Sequence, residues 1–247
     1  MIHYHGTPIG GSRQDTARFL VGRHALIPFC RQDDIGPVLD YCQSFCLDNG
    51  AFSHWKKGDG RIDFDAYWVW VHQFWNHPNF DFALIPDVIE GSQQDNVYLI
   101  MKWLRAGGKA KGVPVYHLHE SMDWLEWLVD NFETIAIGSS GAWSHPGTQG
   151  WWKRIRTLMR VLCDDKGRPK CKIHGLRMLN PEVFRKLPLS SADSTNAAIN
   201  SGSISRFGIY PPATSSQRAA VIADRIEQYN SSAFFDFNFE TMDLFNL

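Results

Sequence analysis

No stretch of this sequence approaches the ~20 consecutive apolar residues that a membrane helix needs, so no membrane-spanning role is expected. An excess of charge is missing as well. The 25 Lys and Arg stand against 26 Asp and Glu, a net charge of −1, so no global positive field draws in nucleic acid, although a local basic strip can still meet phosphates. Cysteine is scarce and odd in number, at five, and no cationic, apolar leader precedes Met1-Ile2-His3-Tyr4. A reducing, cytoplasmic setting is the expectation. There is no HExxH, P-loop or GxGxxG signature, no solenoid repeat and no low-complexity linker.

The 247 residues are 44% hydrophobic and 21% charged, the composition of a globular chain with a substantial core. Apolar runs rich in Ile, Val, Phe and Ala alternate with segments of helical periodicity, the pattern of βα units around a parallel sheet. The runs are Ile2–His5, Ala25–Phe29, Phe45–Asp48, Phe80–Asp87, Val113–His119, Thr134–Ser139, Lys172–Met178 and Ser190–Thr195. Eight is the number that a closed (β/α)8 barrel requires. Helices are expected near Arg13–Leu20, Ile35–Cys42, Phe64–Trp75, Gln93–Ala106, Met122–Asn131, Trp151–Cys163, Pro181–Leu187 and Ser216–Tyr229. Ser12, Ser121 and Asn180 are candidate N-caps, and Gly107-Gly108 a helix end. The reading is a TIM-like barrel over 1–230, with a Ser-, Gly- and Pro-rich loop or lid at Asn196–Ser216. The tail 231–247, "SSAFFDFNFETMDLFNL", packs back on the barrel or meets a partner.

In such a barrel the strand C-termini form the functional mouth. Asp48 ends "SFCLD", Asp87 ends "FDFALIPD", and Asp193 lies in "LSSADST". A carboxylate following buried apolar residues is partly desolvated and needs a partner, a metal or a substrate to offset the cost. One such Asp is an ordinary helix cap or turn residue, whereas three that converge make a site.

Histidines form a second set. His3 and His5, and His117 and His119, are spaced two apart on strands, so each pair shares a face, and His174 lies on the seventh run. Together with Asp193 they could furnish a zinc amidohydrolase, or they could be core and mouth histidines that touch substrate. Cys42, Cys46, Cys163 and Cys171 read as buried structural thiols. "TIAIGSSGAW" places Gly138, Ser139, Ser140 and Gly141 at a strand end, where small residues let backbone N–H groups approach a ligand. In "WWKRIRTLMR", Lys153, Arg154, Arg156 and Arg160 neighbour Trp151 and Trp152. That helix either grips a phosphate backbone and stacks on a base or presents a solvated face.

Taken in order, "CLDNGAF", "FALIPDVIEGS", "VPVYHLHES", "IAIGSSGAW" and "KIHGLRMLNPEVFRKLPLSSADSTNAA" resemble segments of the tRNA-guanine transglycosylase superfamily. The resemblance is strongest to its phage and bacterial branch, which exchanges guanine for a 7-deazaguanine in DNA. It implies a base-exchanging N-glycosyl transferase that acts on DNA, takes a free 7-deazapurine or guanine base, and needs no cofactor. It makes Asp193 the nucleophile, Asp48 the acid/base or base-site partner and Asp87 the reader of the purine edge. Gly138 and Ser139 would contact the base through backbone atoms. The family's CxCxxC…H zinc module is absent, and its "VQGG" glutamine is replaced near His117-Leu118-His119. A third reading is a non-catalytic barrel that binds a nucleotide or a protein.

Overall fold

A computed structural model describes residues 1–7, 15, 17–58 and 62–238. Nine strands occur among them: β1 Ile2–Gly6, β2 His24–Pro28, β3 Ser44–Asp48, β4 Phe80–Leu84, β5 Gly112–Val113, β6 Val115–His117, β7 Thr134–Gly138, β8 Lys172–Gly175 and β9 Ser191–Ser194. All pair in parallel, in the order β5-β4-β3-β2-β1-β9-β8-β7-β6. The two ends of that order are the two halves of one expected strand, divided at Pro114. Proline has no N–H to give to a ladder, yet its carbonyl still accepts the Ala136 N–H at 2.9 Å. The sheet therefore closes almost completely on itself, and the architecture is a TIM-like (β/α)8 barrel in one α/β domain.

Alternation along the strands sorts the side chains. Tyr4, Leu26 and Cys46 fill the barrel interior with Phe82, beside a second cluster of Leu84, Val113, Val115 and Ala136. The opposite faces pack under the helices in one large core that includes Trp103, Trp151 and Tyr67. Tyr67 has a positioning role, because its hydroxyl donates to the carbonyls of Leu47 at 3.2 Å and Leu84 at 2.9 Å, just ahead of Asp48 and Asp87. Ser121 and Asn180 cap their helices as expected, and Gly107 takes a left-handed φ of 89° at a helix end. Ser12 lies outside the described residues. Over the expected helix Arg13–Leu20, the described residues include a 3-10 turn at Arg18–Leu20.

Two helices depart from the sequence reading. Ala51–Lys57 follows Asp48 directly, where Asn49-Gly50 reads as a turn. Gly50 takes a left-handed φ of 81° and the Asn49 side chain accepts the Ala51 N–H at 2.8 Å, so the turn launches a helix. The segment expected to be a loop from Asn196 contains the short helix Asn196–Asn200 and a 3-10 turn at Ile204–Phe207 before the helix Ser215–Glu227. Beyond that helix, Phe235 is buried and its N–H donates to the Gly167 carbonyl at 2.8 Å. No helix among the described residues is long and apolar enough to cross a membrane.

Candidate active site

At the C-terminal ends of the strands lies a cavity of about 500 Å³ whose wall includes Asp48, Asp87, Asp193, His117, Gly138 and Ser139. Four strands and the chain just beyond β4 bring these six residues together. The same wall holds Phe52, Arg31 and Lys56, and Leu176 and Arg177 from the β8 end. Its volume is that of an ordinary small-molecule site.

Asp87 is 8% exposed and His117 3% exposed. Asp87 Oδ1 accepts the Asn49 amide at 2.7 Å, and Oδ2 accepts His117 Nε2–H at 2.8 Å. Asn49 also donates to the Ile85 carbonyl at 2.9 Å, so a single side chain ties the β3 end to the chain that carries Asp87. Burial works against a charge on His117, but the Asp87 hydrogen bond and charge, aided by Glu120, outweigh it and hold the imidazole above the usual histidine range.

Asp193 is 4% exposed. Its Oδ1 accepts the Arg177 backbone N–H at 2.9 Å and lies 3.5 Å from His174 Nε2. Arg177 adopts φ 56°, the left-handed region that costs a non-glycine residue about 1 kcal/mol or more. That conformation turns its N–H onto Asp193. Its guanidinium sits 3.9 Å from the Phe52 ring centre and donates to the Ser139 carbonyl at 3.2 Å.

Asp48 is half-buried. Desolvation and the charges of Asp193 and Asp87 push its carboxyl up to about 7, with the Gly50 N–H and Arg177 opposing them. A carboxyl that is part protonated at neutral pH can give a proton, while an ionised neighbour can act as a nucleophile. A carboxyl raised in this way, in a cavity shared with two further carboxylates, is a candidate general acid.

The other expected site residues sort differently. His119 Nδ1 hydrogen-bonds with the Ser140 hydroxyl at 2.9 Å, and its ring stacks on His117 at 5.7 Å between centres. His119 and Ser140 stand beside the wall that His117 lines. Ser139 is held from behind, its hydroxyl accepting Trp151 Nε1–H at 3.0 Å. His3 and His5 point out of the barrel, contrary to the metallohydrolase expectation. His3 donates to the Tyr229 carbonyl at 3.0 Å, and His5 Nε2 meets Glu227 Oε1 at 2.7 Å. His174 faces inward, with Nδ1 2.8 Å from the Ser191 hydroxyl. Among the described residues no three His, Cys, Asp or Glu side chains are grouped to hold a metal ion.

The basic helix is Gln149–Leu162. Trp151 and Trp152 are buried and cannot stack on a base. Arg154 donates to the Leu118 carbonyl at 2.7 Å, the Tyr116 hydroxyl at 3.0 Å and the Glu120 carbonyl at 2.8 Å. It braces the loop behind His117 instead of reaching for phosphate, which leaves Lys153 exposed and Arg156 partly exposed for that role. Arg154→Ala is accordingly expected to lower unfolding free energy by about 2 kcal/mol. Denaturant titration reads that loss, which Lys153→Ala should not reproduce.

Comparison of the chain with protein-family models, curated proteins and solved structures finds no match in any of the three. Sequence reasoning passed over Arg177 and Phe52. The "HGLR" that spans the end of β8 marks a strand end, but nothing in it announces a left-handed arginine. Phe52 belongs to the helix that the Asn-Gly pair hides.

Proposed function

We propose that the chain is an N-glycosyl transferase that exchanges a purine base in DNA, guanine or a 7-deazapurine, through a covalent glycosyl–enzyme on Asp193. One observation carries the reading: Asp48, held near neutrality, shares a cavity with Asp193 and with the Asp87–His117 pair. Asp87 has a donor on each oxygen, and the Asp48 carboxyl is raised to about 7. Asp193 keeps Oδ2 without a donor among the described residues. It is the carboxylate best placed to attack.

The chemistry balances on these groups. Asp193 forms a bond to the sugar C1′ as the C1′–N9 bond breaks, and the leaving base takes the electron pair and the Asp48 proton. The incoming base then attacks C1′ through N9, the Asp193 ester bond breaks, and the Asp48 carboxylate takes the N9 proton. A base stacked in a duplex cannot reach a cavity at the barrel mouth, so the nucleotide is extruded or single-stranded. Exposed Lys56 at the cavity edge and Lys153 and Arg156 on the basic helix offer contacts to its phosphates. The odd cysteine count supports a cytoplasmic setting.

The test is incubation with DNA and, separately, tRNA, each with labelled guanine or 7-deazaguanine. Label entering DNA is the expected result. Base release without incorporation would make the chain an N-glycosidase of the same chemistry. Neither incorporation nor release from either polymer would overturn the proposal.

A further inference from the structure

The carboxylate expected to read a purine edge is already engaged. Asn49 and His117 supply Asp87 with donors at 2.7 and 2.8 Å, one on each oxygen. His117, by contrast, has an unpaired ring nitrogen. Its Nε2–H is held by Asp87, whereas Nδ1 is buried with no hydrogen-bond partner among the described residues. Opposite it stands Gly138, where a Cβ would come within 3.3 Å of that nitrogen and 3.2 Å of Val115 Cγ1. Any side chain at 138 would crowd Nδ1, which glycine avoids, and both residues line the cavity.

The geometry points to His117, not Asp87, as the residue that reads the base, its Nδ1–H donating to O6 of a guanine-type purine that lies over Gly138. The inference rests on the base-exchange reading of the cavity. A site that holds an outgoing guanine and then an incoming 7-deazapurine can use only acceptors the two share. N7 is missing from the second, while O6 is common to both when the incoming base is a 7-deazaguanine. Adenine presents an N6 amine at that position and would oppose donor to donor.

With Nε2–H on a carboxylate, Nδ1 carries a hydrogen only when the ring is protonated. The charged groups around it set that state. Asp87 faces Nε2, Glu120 Oε2 accepts the His117 backbone N–H at 2.8 Å, His119 stacks on the ring, and Arg177 opposes the charge from the β8 side. Asp87 is thus a positioning residue, the counter-ion that keeps the donor charged.

Calorimetry with free 7-deazaguanine and 2-aminopurine tests this. The titrations are made in the Asp48→Asn background, so that Asp48 does not titrate in the same range and turnover is not needed. With His117 intact, 7-deazaguanine is expected to bind about tenfold or more tighter than 2-aminopurine. Its affinity should fall by about tenfold per pH unit above the raised His117 value. Adding His117→Phe should remove both the preference and the pH dependence. Adding Asp87→Asn, which leaves only the Glu120 charge to oppose burial, should move the fall to lower pH. Equal binding of the two bases, or a pH profile that His117→Phe leaves unchanged, would overturn the inference. Base exchange by wild type in that case would leave the proposed function standing. If neither base binds and wild type exchanges none, both fall together.

Discussion

Asp193→Asn is expected to slow base exchange by about four orders of magnitude or more while the barrel stays folded. An amide is a poor nucleophile toward C1′, but its oxygen can still accept the Arg177 N–H that Oδ1 accepts at 2.9 Å. The local turn therefore survives. One of the two carboxylate charges that raise Asp48 also disappears, so the Asp48 carboxyl should fall back toward its ordinary value. Exchange rates and thermal melting measured on the same preparation separate the two effects. Exchange within tenfold of wild type, in a folded variant, would take the nucleophile's role away from Asp193.

Asp48→Asn should abolish turnover and yet stabilise the protein above neutral pH. The carboxyl is raised from 3.8 to about 7, so the folded chain holds this proton more tightly than the unfolded chain does. Below about pH 4 both states are protonated and the residue contributes no pH-dependent penalty. As pH rises from there to about 7, only the unfolded state ionises freely, and stability drains away. Above about 7 the penalty is constant, at most about 4 kcal/mol and about 2 once solvent at the half-open cavity is allowed for. The variant should therefore match wild type at about pH 4 and exceed it by that margin at about pH 8. Equal denaturation midpoints at both pH values would mean that the Asp48 carboxyl is not raised and that Asp48 is not the proton donor.

The barrel was legible because its cause is local. Eight apolar runs bounded by turn residues became the strands, shortened by a few residues at β4 and β8, and Pro114 explains why one run became β5 and β6. Asp48, Asp87 and Asp193 were legible for the same reason. Each follows an apolar strand, and strand ends of a closed parallel barrel must meet at one mouth. Period two puts His3 and His5 on one face but says nothing of which face, and they point to Glu227 and Tyr229 instead of inward. Spacing likewise cannot show that Arg154 braces three loop oxygens or that Trp151 holds Ser139. Those partners are distant in sequence and meet only when the sheet closes. The helix after Asp48 was hidden by an Asn-Gly pair that usually ends structure and here begins it.

The most direct measurement is the covalent intermediate itself. Wild type mixed with DNA and no incoming base should form a protein–DNA species that survives denaturing electrophoresis, and peptide mapping should place the bond on Asp193. Adding guanine should discharge it. A bond mapped to Asp48, Asp87 or any other residue, or base exchange that proceeds with no covalent species, would contradict the account.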